Sequence, residues 1–162
     1  MGESPKEQTH ILAINDDPAV LGLFHDLLTD EGYQVSLNIF SSSTVEILAQ
    51  IRTLQPDLII MDYIVGREGT GWQALQAVRM DRTTRHIPVI ICTAARRQVE
   101  DLGQHLADMR VHTVFKPFDI DHLLEVVATV LGDPNSTNMH IDPSAHIENV
   151  NHESDPSALS VS

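Results

Sequence analysis

The chain between residues 10 and 131 alternates short apolar runs with longer amphipathic stretches. The runs expected to form strands are Ile11–Ile14, Gln34–Ile39, Leu58–Met61, Val89–Cys92 and Thr113–Phe115. Between them, apolar residues recur at the three- or four-residue spacing of a helix face. Strands and helices that alternate in this way are typical of a parallel sheet covered by helices. The pattern therefore predicts an α/β domain of five strand-helix units.

Polar residues and a glycine indicate where some of these helices begin or weaken. Asp17 followed by Pro18 combines an N-cap residue with a first-turn proline, so the first helix is expected to start there, and the run Ser41-Ser42-Ser43 is expected to open the second. The first helix is predicted to bury Val20, Leu23, Phe24, Leu27 and Leu28. The fourth is predicted as one continuous helix with an apolar face formed by Val99, Leu102, Leu106 and Met109. Gly103 inside it costs about 1 kcal/mol relative to alanine, so we expect this helix to be the least stable.

The composition changes after residue 131. Residues 132–162 are rich in Asn, Ser and Pro, follow no helical or strand period, and contain no Lys or Arg. Their acidic residues are Asp133, Asp142, Glu148, Glu153 and Asp155. Such a segment cannot bury enough apolar surface to offset the entropy of ordering, so we expect a disordered acidic tail. The predicted organisation is a flexible N-terminus at 1–8, one domain at 9–131 and the tail at 132–162.

Charge and apolar content exclude several classes of protein. The 162 residues carry a formal net charge of -13, which opposes binding to the phosphate backbone of nucleic acids. No apolar run approaches the roughly 18 to 20 residues that a membrane-spanning helix needs. Cys92 is the single cysteine, and the first residues lack the pattern of a secretory signal. We therefore expect a cytoplasmic protein that binds neither nucleic acid nor membrane.

Polar side chains follow four of the five predicted strands. Asp16 and Asp17 follow the first strand, Asp62 the third, Thr93 the fourth and Lys116 the fifth. In open parallel α/β sheets, ligands bind beyond the carboxyl ends of the strands, so these groups are expected to converge. The aspartate pair could by itself be a helix cap, but a second acidic strand end and a lysine favour a site. Neighbouring carboxylates need a cation to stay ionised, and Mg²⁺ is the divalent ion that suits a few hard oxygen ligands.

These strand ends, in order and spacing, resemble the receiver domain of bacterial two-component response regulators over residues 9–131. The motifs are Asp16-Asp17, Asp62, Thr93-Ala94 and Lys116-Pro117-Phe118. The resemblance implies a flavodoxin-like (βα)5 fold, a doubly wound parallel sheet of strand order 2-1-3-4-5. It also implies a signalling protein, not a turnover enzyme, that takes a phosphoryl group from a histidine kinase or a histidine phosphotransfer protein. Because the residues after Leu131 are not expected to fold into an output domain, we expect a stand-alone receiver.

The resemblance assigns an acceptor and a metal site. Asp62 corresponds to the phosphoacceptor, and Asp17 with Asp62 to direct Mg²⁺ ligands. Asp16 would act mostly through a bound water. The backbone carbonyl of Ile64, two residues after the acceptor, corresponds to the family's third protein ligand of the ion.

The remaining positions correspond to groups that hold the phosphoryl oxygens. Thr93 resembles the switch hydroxyl, the Ala94 backbone amide can donate a second hydrogen bond, and Lys116 resembles the phosphate-binding lysine. The resemblance also predicts a cis peptide between Lys116 and Pro117. One departure stands out: Thr113 occupies the position, three residues before the lysine, where the family usually has an aromatic residue. We therefore expect no aromatic switch at that position.

Three functions remain open from the sequence. The leading one is a phosphorylated receiver that signals by contact with a downstream protein. The expected contact surface is formed by the fourth helix, the fifth strand and the last helix. A homodimer could form on the same surface. The second is a degenerate receiver that binds partners without phosphorylation, which the missing aromatic favours. The third is a Mg²⁺-dependent aspartyl phosphatase, but Ile64 stands where such enzymes commonly carry a second aspartate.

Overall fold

The computed structural model describes residues 8–39, 43–62, 70–117 and 119–132. In these segments the strands are β1 His10–Asn15, β2 Gln34–Ile39, β3 Leu58–Met61, β4 Val89–Thr93 and β5 Val111–Phe115. The helices are α1 Pro18–Asp30, α2 Thr44–Leu54, α3 Thr70–Met80, α4 Arg96–Asp101, α5 Gly103–Asp108 and α6 Ile120–Gly132. No helix in the described segments is long and apolar enough to span a membrane. Ile64 and the tail after residue 132 lie outside the described residues.

The strands form one parallel sheet in the order β2-β1-β3-β4-β5, which confirms the predicted topology. β1 pairs with β3 so that Ile14 lies opposite Met61, and β4 pairs with β5 so that Thr93 lies opposite Phe115. Because every pair is parallel, the strands end along one side of the sheet and begin along the other. We call these sides the carboxyl edge and the amino edge.

Helices cover both faces of the sheet, and alternate strand residues point into two separate cores. Leu12, Ile59 and Ile91 belong to the core beneath α2, α3, α4 and α5. Ile60 and Cys92, on the opposite face, belong to the core beneath α1 and α6. All four residues of β3 are buried, because this central strand is covered on both sides. The doubly wound arrangement follows directly from the apolar runs in the sequence.

Local side-chain chemistry starts the first two helices where the sequence predicted. Asp17 caps α1, with its Oδ1 accepting a hydrogen bond from the Ala19 amide at 2.9 Å, and Pro18 occupies the first helical position. Ser43 and Glu46 form a reciprocal capping box at the start of α2. One predicted core position of α1 is wrong: Leu23 is 44% exposed, and Leu21 is buried with Phe24 and Leu28 instead. The helix is therefore rotated slightly from the face that the apolar spacing indicated.

The prediction of one continuous fourth helix is wrong. The segment forms two short helices, α4 and α5, that meet at Leu102. The Leu102 amide donates to the carbonyl of Val99 at 3.1 Å, a three-residue bond that interrupts the four-residue ladder. Gly103 follows directly, and its poor helix propensity makes such a break inexpensive. The break still leaves Val99 and Leu106 buried in the same core.

His112 is a buried titratable group on β5 that gives the fold a testable pH dependence. Its side chain is 4% exposed, its Nδ1 makes no hydrogen bond to any described group, and burial lowers its pKa below 6.5. The unfolded chain therefore binds a proton near pH 6.5 that the folded chain does not, and stability falls as the pH drops through that value. This single group contributes a slope of up to about 1.4 kcal/mol per pH unit.

We expect His112→Leu to flatten the dependence of the unfolding free energy on pH between 7.5 and 5.5. Urea unfolding followed by circular dichroism at the two pH values measures the effect. His25→Asn is the matched control, because the His25 side chain on α1 is 49% exposed. Equal pH slopes for wild type and His112→Leu would contradict the assignment.

Candidate functional site

Asp62 and Lys116 meet at the carboxyl edge of the sheet. Asp62 directly follows β3 and Lys116 directly follows β5, with β4 between them. The Lys116 Nζ donates to the Asp62 Oδ2 at 3.1 Å, and the two side chains are 26% and 13% exposed respectively. Partial burial shields this ion pair from water while leaving the carboxylate within reach of a ligand. The predicted proximity of these two groups is confirmed.

Thr93 connects the end of β4 to the start of α4 and to the residue that follows β5. Its side chain is buried, and its Oγ1 accepts a hydrogen bond from the Ala95 amide at 3.1 Å. Its carbonyl oxygen accepts from the Lys116 amide at 2.9 Å, so the backbones of β4 and β5 remain bonded up to the site. A movement of Thr93 would therefore shift the start of α4 and Lys116, because both are hydrogen-bonded to it.

A cleft of about 330 Å³ opens at this point of the carboxyl edge. It is lined by Asp62, Thr93, Ala94, Ala95 and Gln98. The two alanines leave the cleft wide, because neither carries a side chain beyond the β-carbon. Gln98 is a lining residue that the sequence pattern did not single out, since an exposed glutamine on a helix has no distinguishing motif. Its position five residues after Thr93, within the first turns of α4, is the only signal that could have indicated it.

Asp16 and Asp17 lie on the neighbouring strand end. The pairing of Ile14 with Met61 places them one and two residues beyond the position opposite Asp62. Asp17 is engaged as the α1 cap, and its amide donates to the Asn15 Oδ1 at 2.9 Å. Among residues 8–39, 43–62, 70–117 and 119–132, no three His, Cys, Asp or Glu side chains are close enough to hold one ion. The three carboxylates are therefore adjacent along the edge without forming a closed ligand cluster.

This donor set fits Mg²⁺ better than an ion that needs a full protein cage. Mg²⁺ commonly takes one or two carboxylates, keeps several waters and completes its shell with a phosphate oxygen. Asp62 in the open cleft and the exposed Asp16 and Asp17 beside it supply hard oxygen ligands with room for water. The predicted third ligand, the carbonyl of Ile64, lies outside the described residues.

Cys92, next to Thr93 on β4, has a structural role. Burial raises the pKa of the Cys92 thiol to about 12, so the sulfur stays protonated at neutral pH and behaves as a core side chain.

Thr113 is buried at the position of the missing aromatic, and Phe115 lies two residues further along the same face of β5. The Arg96 Cζ stands 4.2 Å from the centre of the Phe115 ring. This cation-π contact joins the first residue of α4 to the end of β5. The Lys116–Pro117 peptide is cis, as predicted.

Comparison with known sequences gives a consistent set of relatives. The family model described as "Response regulator receiver domain" matches residues 11–128. The "DNA-binding dual master transcriptional regulator RpaA" of Synechocystis is 33% identical over 121 residues, which cover 75% of this chain and 48% of RpaA. The "Polar-differentiation response regulator DivK" of Brucella ovis is 29% identical over 123 residues, which cover 76% of this chain and 96% of DivK. The match thus spans about half of RpaA and nearly all of DivK.

Solved structures show the same fold. The chemotaxis response regulator CheY4 of Vibrio cholerae superposes with a TM-score of 0.63 at 25% identity, covering 76% of this chain and 98% of CheY4. A CheY-like receiver domain protein from Methanospirillum hungatei superposes with a TM-score of 0.64 at 23% identity, covering 78% and 96% respectively. The flavodoxin-like fold that the family resemblance implied is confirmed by these likenesses.

Proposed function

The chain belongs to the response regulator receiver domain family, and we propose on that basis that it accepts a phosphoryl group on Asp62. The donor is a histidine kinase or a histidine phosphotransfer protein, and the cofactor is Mg²⁺. The observation that carries this proposal is the 3.1 Å pair between Lys116 and Asp62, whose carboxylate lines a cleft together with Thr93 and Ala94. A carboxylate nucleophile, a cationic clamp and hydrogen-bond donors are the groups that phosphoryl transfer requires.

Each of these residues has a distinct part in the transfer. An Asp62 oxygen attacks the phosphorus of the phosphohistidine, so that a phosphorus-oxygen bond forms and the phosphorus-nitrogen bond breaks. The Lys116 ammonium neutralises charge on the phosphoryl oxygens, and the Thr93 hydroxyl and Ala94 amide donate hydrogen bonds to them. Asp62 and Asp17 would hold Mg²⁺, with Asp16 acting through a water. The ion supplies charge neutralisation at the attacking and transferred oxygens.

The same residues provide a route from the cleft to the protein surface. The Thr93 hydroxyl accepts a bond from Ala95 in the unmodified chain, and donating to a phosphoryl oxygen would draw it toward Asp62. That movement would displace the start of α4, where the Arg96 guanidinium makes the cation-π contact with the Phe115 ring. The break at Leu102 lets α4 move without carrying α5 with it. We therefore propose the surface of α4, β5 and α6 as the contact for a downstream protein or a second copy.

The test of this function is phosphorylation by acetyl phosphate, measured by intact mass. We expect the wild type to gain one phosphoryl group in the presence of Mg²⁺ and none when the ion is chelated. Asp62→Ala should gain nothing under either condition. Asp26→Asn is the matched control and should behave like wild type, because the Asp26 side chain on α1 is 83% exposed and remote from the cleft.

The outcomes separate the competing functions. A mass gain that survives Asp62→Ala would contradict the assignment of the acceptor. No gain in a folded wild type would favour a degenerate receiver that acts without phosphorylation, the function that Thr113 in place of an aromatic supports.

A further inference from the structure

A group of arginines lies at the amino edge of the sheet, opposite the cleft. Arg79, near the end of α3, is held by backbone carbonyls: its Nε donates to Met109 at 2.7 Å, and its Nη1 donates to Ile87 at 2.6 Å and to Arg85 at 3.1 Å. These bonds hold the segment before β4 against the segment before β5. They therefore bring the backbones of Arg85 and Arg110 close to one half-buried guanidinium.

Three more arginines lie in the segments that precede β4 and β5. Arg82, Arg85, His86 and Arg110 are exposed, and we call these four residues the basic patch. The acid between α3 and β4, Asp81, is engaged by Arg52, whose Nε donates to its Oδ2 at 2.8 Å. Neither Arg82 nor Arg85 forms an ion pair with any side chain in the described part of the chain. Burial, and to a smaller extent the charge of Arg110, lowers the pKa of Arg79 to about 10.

This patch is unusual for a chain of net charge -13. Four of its ten Lys and Arg residues, namely Arg79, Arg82, Arg85 and Arg110, fall in this one region. The acids at the carboxyl edge lie at the other end of the strands. The positive charge is thus concentrated in the segments that precede β4 and β5, although Asp57 and Asp108 lie at the same edge, and this local concentration can attract negative charge.

The acidic tail starts at the same edge. α6 follows β5 after a short connection, and its buried residues Leu123, Val127 and Val130 pack along the sheet. Its 13 residues span about 20 Å, and the five of β5 span about 17 Å, so α6 returns to the level at which β5 begins. Gly132 therefore lies at the amino edge, on the side where Arg110 precedes β5. The 30 residues from 133 to 162 follow, with five acids and no Lys or Arg.

We propose that the acidic segment 133–162 of this chain binds the basic patch. Its attachment at Gly132 gives it an effective concentration on the order of millimolar at a patch on the same edge, without any contribution from new apolar contacts. Its acids are spaced along the segment, so that several can approach Arg82 and Arg85 together. The interaction is electrostatic and is screened strongly when the Debye length falls from about 8 Å at physiological salt to about 3 Å at 1 M. It leaves the phosphoryl cleft open and is independent of phosphorylation.

The test places a nitroxide spin label on the tail of the full-length chain, through Ser157→Cys, and records amide signals by NMR. Cys92 is buried with a protonated thiol, so labelling is confined to residue 157. We expect the amides of Thr83, Arg85 and His86 to broaden, and those of residues 23–26 on α1 to remain sharp. The broadening should disappear at 1 M salt.

Charge variants then test the specific pairing. Arg82→Glu combined with Arg85→Glu should abolish the broadening, whereas the matched reversal Arg97→Glu, on exposed α4, should preserve it. The proposal is overturned if the amide signals of Thr83, Arg85 and His86 do not broaden in the wild-type chain. It is also overturned if their broadening is the same in the patch variant as in the wild type. Broadening that appears only between labelled and isotope-enriched molecules in a mixture would assign the tail to a second copy, and would also overturn it.

Discussion

Lys116→Met is expected to slow Mg²⁺-dependent phosphorylation by acetyl phosphate roughly tenfold to a hundredfold. The substitution keeps an unbranched apolar stem but removes the ammonium that donates to Asp62 at 3.1 Å. A hydrogen bond to a charged group contributes about 1.5 to 3 kcal/mol, and about 1.4 kcal/mol changes a rate tenfold. In the proposed transfer the ammonium would neutralise charge that reaches Asp62 with the incoming phosphoryl group, so we expect its loss to raise the barrier. The initial rate of mass gain at fixed acetyl phosphate measures the effect.

Two variants make this result specific to the site. Lys116→Arg keeps the positive charge but changes its geometry, so we expect a smaller loss of rate. Lys6→Met changes the other lysine of the chain and should leave the rate unchanged. Thermal unfolding of each variant shows whether the fold is retained. A folded Lys116→Met protein with the wild-type rate would refute the role of this lysine.

Arg79→Met is expected to lower the free energy of unfolding by about 3 kcal/mol or more. The guanidinium satisfies the carbonyls of Arg85, Ile87 and Met109, and those of Ile87 and Met109 are part-buried in these bonds. A buried polar group left without a partner costs about 1 to 3 kcal/mol, so losing the shared donor affects more than one carbonyl. A loss of this size is a large fraction of the roughly 5 to 15 kcal/mol that stabilises a typical domain.

Urea unfolding followed by circular dichroism measures this loss. Arg97→Met is the matched control: the residue is exposed on α4, and such surface changes usually remain within about 0.5 kcal/mol. Arg79→Lys should fall between the two, because one ammonium cannot reach all the carbonyls that the planar guanidinium reaches. Equal stabilities of Arg79→Met and Arg97→Met would show that the carbonyl contacts contribute nothing.

Arg79 also shows where prediction from the sequence stops. Its three carbonyl partners lie between six and 30 residues away in the chain. Nothing in a local pattern connects an arginine on a helix to two loops that come together only when β4 pairs with β5. Leu23 and the break at Leu102 show the same limit: apolar spacing predicts a helix and its approximate face, but it gives neither the rotation of α1 against the sheet nor the interruption at the weak position before Gly103.

The sequence by itself determined the order of strands and helices, the caps of α1 and α2, and the polar residues at four of the five strand ends. These features depend on neighbours within a few positions, where hydrophobic periodicity and capping preferences act. Only the tertiary structure decided that Lys116 reaches Asp62, that Gln98 lines the cleft, and that Phe115 lies under Arg96. Each of these contacts joins different strands or helices, and its distance is fixed by strand register and side-chain packing, which no local pattern encodes.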